Sequence, residues 1–244
     1  MTQTASAAVD DDVPRFDLAG QHALVTGAAR GLGRAIAFAL AAAGADVALG
    51  VRRAGTTAEL RARIGELGRR SVEVAMDVAD LEQVRSGIDA AAAALGRLDI
   101  LVNNAGIAPG NPAEAVTVED FDATVAVNLR GTFFAAQHAG RLMLAQGYGR
   151  IVNISSQAGL VALPGESVYC MTKAGLIELT KCLAVEWGAR GVTVNAVAPT
   201  FIDTPGTEPA LSDPAFRADV EQRIAALHRV GRPVDVAGAV VYLC

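Results

Sequence analysis

From residue 21 onward, short β-branched runs alternate with alanine-rich stretches long enough for helices, and no other feature constrains the fold as much. HALVTG at 22–27, DVALGV at 46–51 and SVEVAM at 71–76 are separated by the helical stretches Gly31–Ala43 and Thr57–Leu67. Neighbouring parallel strands need a crossover of this kind, so the alternation predicts βαβ units and a parallel sheet. Further strands are expected at Asp99–Val102, Arg150–Ile154 and Val192–Val197, and helices at Val118–Ala145, Ser167–Ala189 and Pro214–Leu227. The strands are continuously apolar, the mark of a sheet covered on both faces. The expected class is α/β, a three-layer doubly wound parallel sheet of Rossmann type. No repeat, linker or second composition zone divides the 244 residues. Residues 15–244 are therefore read as one domain, preceded by a disordered tail at 1–14. A last helix begins near Asp235, and the sequence stops at Cys244 without a following strand.

Composition narrows the partners. Lys and Arg number 21 against 26 Asp and Glu, for a net charge of −5, with no basic run. That is not the footprint of a nucleic-acid binder. The mean hydropathy of +0.33 is inflated by alanine. The apolar stretch Ala35–Ala43 is nine residues, far short of a membrane span. The N-terminus, MTQTASAAVDDDVPRF, has neither the basic nor the apolar region of an export signal, so a soluble, cytoplasmic protein is expected. Cys170, Cys182 and Cys244 are an odd count without CxxC spacing, against both a disulfide framework and a zinc site. No metal is called for.

The first strand runs into Thr26-Gly27-Ala28-Ala29-Arg30-Gly31-Leu32-Gly33, with a helix opening at about Gly31. Such a turn lets backbone N–H groups approach a pyrophosphate at a helix N-terminus, although glycines also serve tight turns without any ligand. With this TGxxxGxG spacing the chain begins to resemble the short-chain dehydrogenase/reductase family, a likeness that covers about residues 16–244. In that family an acidic residue ending the second strand favours NAD through the ribose hydroxyls. Here the stretch reads Leu49-Gly50-Val51-Arg52-Arg53, without a carboxylate. Arg52, assisted by Arg30, can instead pair with a 2′-phosphate, so NADP(H) is the preferred cofactor and NAD(H) the other option. Arg52 and Arg53 as plain solvated charges is the bland alternative. The resemblance also implies that Asp77 and Val78 meet the adenine, although Asp77 alone would suit a turn cap. Asn104, Ala105 and Gly106 of the Leu101–Gly106 run match the family's NNAG segment beside the adenosine. Pro199, Ile202 and Thr204 match the loop that contacts the nicotinamide, but Thr200 stands where the family usually has glycine.

Tyr169 and Lys173 are four apart in a helical stretch and share one face. They match the family's YxxxK motif. A free tyrosine has a pKa of roughly 10, too high for exchange near neutrality, and the resemblance implies that Lys173 favours the phenolate. Ser156 ends the strand Ile151–Ser156 and lies thirteen positions before Tyr169, the family's spacing. It is read as orienting the substrate oxygen, whereas Ser155 is read as capping the next turn. Asn128 is expected mid-helix, where asparagine is a poor helix former. It matches the family asparagine that holds a water next to the lysine.

The resemblance thus implies interconversion of a secondary alcohol and a ketone, with small carbonyl or alcohol compounds as substrates, no membrane partner, and a homodimer or homotetramer. A 3-oxoacyl-carrier-protein reductase shares nearly all these motifs and is the enzyme alternative. From another class, a silent dinucleotide-binding sensor or scaffold would have no use for the Asn128, Ser156, Tyr169, Lys173 set. Family members normally continue into one more strand. The sheet is therefore expected to lack its final C-terminal strand, which leaves either a fragment or an unpaired edge.

Overall fold

The computed structural model describes residues 16–224 and 226–244. The expected tail at 1–14 lies outside them. Six parallel strands, β1 (His22–Thr26), β2 (Asp46–Val51), β3 (Ser71–Ala75), β4 (Ile100–Asn103), β5 (Gly149–Ile154) and β6 (Val192–Val197), form one sheet in the order β3-β2-β1-β4-β5-β6. All six match the expected strands to within a residue or two. The order reverses between β1 and β4, the place where such sheets open a crevice at their C-terminal edge.

Helices cover both faces. Against one lie α1 (Gly31–Ala42) and α2 (Ala58–Glu66), with Ile36, Leu40 and Ile64 packed on Val25, Leu49 and Val102. Against the other lie α3 (Leu81–Leu95), α5 (Thr132–Gln146) and α6 (Ser167–Trp187), with Ile88, Met143 and Leu183 packed on Leu24, Leu101 and Ile151. Successive strand residues thus feed alternate cores, which is why the strands read as apolar throughout. The final helix, numbered α9 (Pro233–Leu243), returns to the first face through Ala237 and Val240.

Three helical segments differ from expectation. Helix α3 is not among those anticipated, yet Asp80 caps its N-terminus by accepting from Glu82 N and Gln83 N, and Gly96 ends it at φ 97°. The single helix expected over 118–145 is α4 (Val118–Val125), a π-helical segment at Ala126–Gly131, and then α5. Gly131, at the end of the π-helical segment, sits so close to the Val78 carbonyl that any side chain there would overlap it. The expected 214–227 helix is shorter, α8 (Pro214–Arg223), preceded by the one-turn α7 (Glu208–Leu211). Leu211, Val220 and Val230 form a small separate core that shapes this region into a flap over the sheet edge. No helix among the described residues is long and apolar enough to cross a membrane.

Candidate active site

At the C-terminal edge, above the reversal in strand order, two recesses of about 360 and 430 Å³ share the walls Arg30, Leu32, Asn104, Gly106, Ile107, Thr204 and Gly206. Together they make one trough. The first holds Gly27, Gly31, Gly33, Arg52, Asp77, Val78 and Ala105; the second holds Ser156, Tyr169, Lys173, Pro199 and Ile202. Every catalytic or cofactor-contacting residue expected from the sequence borders the trough except Asn128.

The first recess is built from backbone. Gly27 and Gly31 have φ of 67° and 57°, a left-handed conformation that costs glycine little. A Cβ on Gly33 would overlap the Gly27 carbonyl oxygen and Asn104 Nδ2, so only glycine lets α1 start this close to the turn. At the head of α1, Arg30 makes no side-chain cap and the first turn holds no acidic residue. Helix N–H donors and the positive end of the dipole therefore face the recess, the arrangement that binds an anion. Thr26 Oγ1 accepts from Asn104 N at 3.0 Å and Ala105 N at 3.1 Å, and Asn104 Nδ2 donates to the Thr26 carbonyl at 2.9 Å. These bonds seal the crevice floor between β1 and β4. At the far end Asp77 Oδ1 accepts from Ala79 N at 3.0 Å, so Asp77 is a turn cap and a wall at once. Among the described residues neither Arg30 nor Arg52 forms an ion pair, and Arg53 lies off the wall.

The second recess is built from side chains. Asn103 Nδ2 donates to Asn153 Oδ1, and Asn153 Nδ2 to Thr180 Oγ1, both at 2.9 Å, which ties β4, β5 and α6 together through buried amides. Ser155 does not cap the next turn as expected: its Oγ donates to the Lys173 carbonyl at 2.9 Å and so ties the end of β5 to α6, and the cap falls to Ser156. Ser156 Oγ accepts from Ala158 N at 3.1 Å. Lys173, only 4% exposed, donates from Nζ to the Ile154 carbonyl at 2.8 Å and lies 5.5 Å from the centre of the Tyr169 ring.

Electrostatics depart from the sequence reading at this pair. Burial pushes the Tyr169 phenol above its ordinary value, opposed by a hydrogen bond with Ser156 and reinforced by the nearby Glu166 carboxylate. Lys173 is not among the causes. Burial also lowers the Lys173 ammonium to about 8. From the protein's own groups, desolvation outweighs attraction between the two side chains, and Tyr169 is held as a neutral phenol.

Asn128 is buried in the π-helical segment. Its Oδ1 accepts from Ile107 N at 2.9 Å, and its Nδ2 donates to the Ile107 carbonyl at 2.8 Å and to Thr172 Oγ1 at 3.1 Å. The side chain is thus spent on fixing the loop after β4 and on binding α6. It still borders Lys173: a Cβ on Gly106 would lie 3.4 Å from Asn128 Oδ1 and 3.5 Å from Lys173 Nζ.

In the flap loop, Thr207 Oγ1 donates to the Ile202 carbonyl at 2.5 Å and accepts from Thr204 N at 3.1 Å. Met76, Ile107 and Val127 of the first recess, and Ala108 of the second, are walls that sequence reasoning did not name. Met76 and Val127 had no signal, because ordinary core residues look the same in sequence.

The family model described as short chain dehydrogenase matches residues 21–215. D-threitol dehydrogenase of Mycolicibacterium smegmatis is 44% identical over 245 residues, covering 100% of this chain and 92% of its own. A 3-oxoacyl-acyl-carrier-protein reductase of Synechocystis is 40% identical over 227 residues, covering 93% and 90%. Among solved structures, a gluconate 5-dehydrogenase from Burkholderia cenocepacia in complex with NADP and tartrate superposes with a TM-score of 0.90 at 37% identity, covering 94% of this chain and 90% of its own.

Proposed function

This chain belongs to the short-chain dehydrogenase family, and on that premise we propose that it interconverts a small secondary alcohol and its ketone with NADP(H), Tyr169 acting as acid and base. The observation that carries the proposal is the single trough, with an anion-binding glycine turn at one end and Ser156, Tyr169 and Lys173 at the other.

The residues present fit a dinucleotide. The left-handed glycines, the room kept at Gly33 and the uncapped head of α1 suit a pyrophosphate. Arg30 and Arg52, without a carboxylate between them on the wall, suit a 2′-phosphate and support NADP(H) over NAD(H). Asp77, Val78, Asn104, Ala105 and Gly106 would line the adenosine, and Pro199, Ile202 and Thr204 the nicotinamide. When bound, the nicotinamide supplies or accepts the hydride.

The chain's own part is the proton. Burial keeps Tyr169 protonated, and it hands its proton to the carbonyl oxygen only as that oxygen gains the negative charge of an alkoxide, a stronger base than the phenolate. Ser156 donates to the same oxygen and fixes its direction. Lys173, pinned by the Ile154 carbonyl, is mostly charged at neutral pH and replenishes or receives the proton beside Gly106. Asn128 acts in the relay by fixing the loop that carries Ile107. In the oxidative direction Tyr169 must ionise, which burial opposes, so this direction should gain with rising pH.

For the substrate, the threitol-oxidising relative and the hydroxyl-rich wall of Ser156, Thr200, Thr204 and Thr207 support a small polyol or hydroxy acid. Reduction of a 3-oxoacyl group on a carrier protein is the second reading, favoured by the Synechocystis relative. One catalytic domain over 15–244, thiols kept reduced in the cytoplasm, and a homodimer or homotetramer belong to the same proposal. Exposed Phe121, Phe133, Phe134 and Val185 on α4, α5 and α6 support the oligomer.

The test is Tyr169→Phe. Turnover on a polyol and ketone panel should fall at least about a thousandfold, while the NADPH dissociation constant stays within about twofold. Substantial residual turnover would remove Tyr169 from the chemistry. A wild-type protein that binds NADPH but turns over nothing in the panel would favour a sensor.

A further inference from the structure

We propose that Glu73, which touches neither recess, is a positioning residue for the 2′-phosphate end of the cofactor, acting by clamping the loop that carries Arg52. This rests on the NADP(H) reading above. Glu73 sits on β3 opposite Leu49 of β2, below the point where β2 ends. From Val51 the chain passes through Arg52 and Arg53, turns back at Gly55 with φ 79°, and enters α2.

The carboxylate gathers the returning limb. Its Oε1 accepts from Gly55 N at 2.6 Å, and its Oε2 accepts from Thr57 N at 3.1 Å and Thr57 Oγ1 at 2.5 Å. Thr56 Oγ1 closes the loop on the Arg53 carbonyl at 2.9 Å. The outgoing limb is fixed where Met76 N donates to the Val51 carbonyl at 2.8 Å. Arg52 is thus held at both ends of a short loop and lines the trough, whereas Arg53 does not.

Two details say that the clamp is more than a surface hydrogen bond. Thr57 is the N-cap of α2 but makes no side-chain cap; its hydroxyl is committed to Glu73. These same bonds hold the Glu73 carboxyl below its ordinary pKa, so it stays charged and remains an acceptor for the donors of the loop. A long cation on an unclamped loop would lose conformational freedom on binding the phosphate, and the clamp removes that loss beforehand.

The experiment compares Arg52→Ala, Glu73→Ala and Thr57→Val with wild type, using NADPH and NADH fluorescence titrations, kcat with each cofactor, and thermal midpoints. We expect Glu73→Ala to weaken NADPH about tenfold and NADH less than twofold, with kcat unchanged, and Thr57→Val to give a smaller effect of the same selectivity. Equal weakening of both cofactors, or none while Arg52→Ala still weakens NADPH selectively, would overturn the clamp and leave the NADP(H) reading intact. If Arg52→Ala leaves the NADPH to NADH ratio unchanged, both fall. Should Glu73→Ala fail to fold, Thr57→Val carries the test: its buried hydroxyl is replaced by a methyl group of the same shape, and unchanged selectivity there overturns the proposal.

Discussion

The glycine turn at Gly27–Gly33 and the α6 face carrying Tyr169 and Lys173 border the same trough, yet one is made of backbone and the other of side chains. At the turn, function comes from what is missing: two left-handed glycines, a third with no room for a methyl, and helix donors left uncapped. On α6, function comes from what is present and costly, a phenol and an ammonium taken out of water, the ammonium held by the Ile154 carbonyl and the helix tied to β5 and its end through Asn153 and Ser155. The difference implies opposite fragilities. The turn should fail when one carbon is added, whereas the α6 face should fail when a polar atom is removed. Buried polar groups on α6 should also charge the fold a stability cost that the turn does not.

The strongest way to break this contrast is Gly33→Ala. The added methyl would overlap the Gly27 carbonyl, which belongs to the cradle itself, and Asn104 Nδ2, which seals the floor. Overpacking of this kind costs about 1–3 kcal/mol, so NADPH affinity should fall about a hundredfold while circular dichroism stays that of the wild type. Near-normal affinity would mean that the turn yields, and the claim that absence of a side chain is the functional feature would go.

How much of this was legible beforehand follows the same division. The strands and the glycine turn could be read because their signal is local: apolar runs of strand length, and glycines at fixed spacing after the first of them. Ser156, Tyr169 and Lys173 could be found through a family pattern, and all three do border one recess. What could not be read is whatever depends on a distant partner. The π turn ends at Gly131, whose close contact, the Val78 carbonyl, lies more than fifty positions away in sequence. Asn128 spends its amide on Ile107, and no spacing announces that bond. The sign of the Tyr169 shift was missed for the same reason, since burial by the surrounding fold decides it and the lysine four residues on does not. Helix α3 is a different case. Its Asp80 cap and Gly96 stop are local and visible, and the alanine run between them was passed over.

The second test concerns the cost on the α6 side. Burial lowers the Lys173 pKa from its ordinary 10.5 to about 8. Between those values the unfolded chain holds the proton that the folded chain has lost, so this group makes stability rise with pH across that window. Below pH 8 the cost of burying the charge is fully present. Lys173→Met removes it, and the stability of the wild type relative to that variant should increase by on the order of 2 kcal/mol between pH 8 and 9.5. Urea unfolding at a series of pH values measures the difference. A gap that does not move with pH would mean that Lys173 is solvated in the folded chain, and the two sides of the trough would then differ less than the geometry suggests.

The smallest expected effect sharpens the comparison most, because it makes the same chemical change as the first test and has the opposite sign. Gly65 lies in α2 on the exposed side, with a negative φ and nothing within 4 Å of an added Cβ. Alanine there loses no contact and narrows the conformational freedom of the unfolded chain, so Gly65→Ala should stabilise the protein by about 0.5–1 kcal/mol. NADPH affinity and turnover should stay at wild-type values. The urea midpoint and one titration settle it. With Gly65→Ala neutral or stabilising and Gly33→Ala damaging, the loss at Gly33 belongs to its neighbours and not to the residue type. A destabilised Gly65→Ala variant would show that helix propensity arguments fail in this chain, and the hundredfold expected at Gly33 could no longer be assigned to overlap with the cradle.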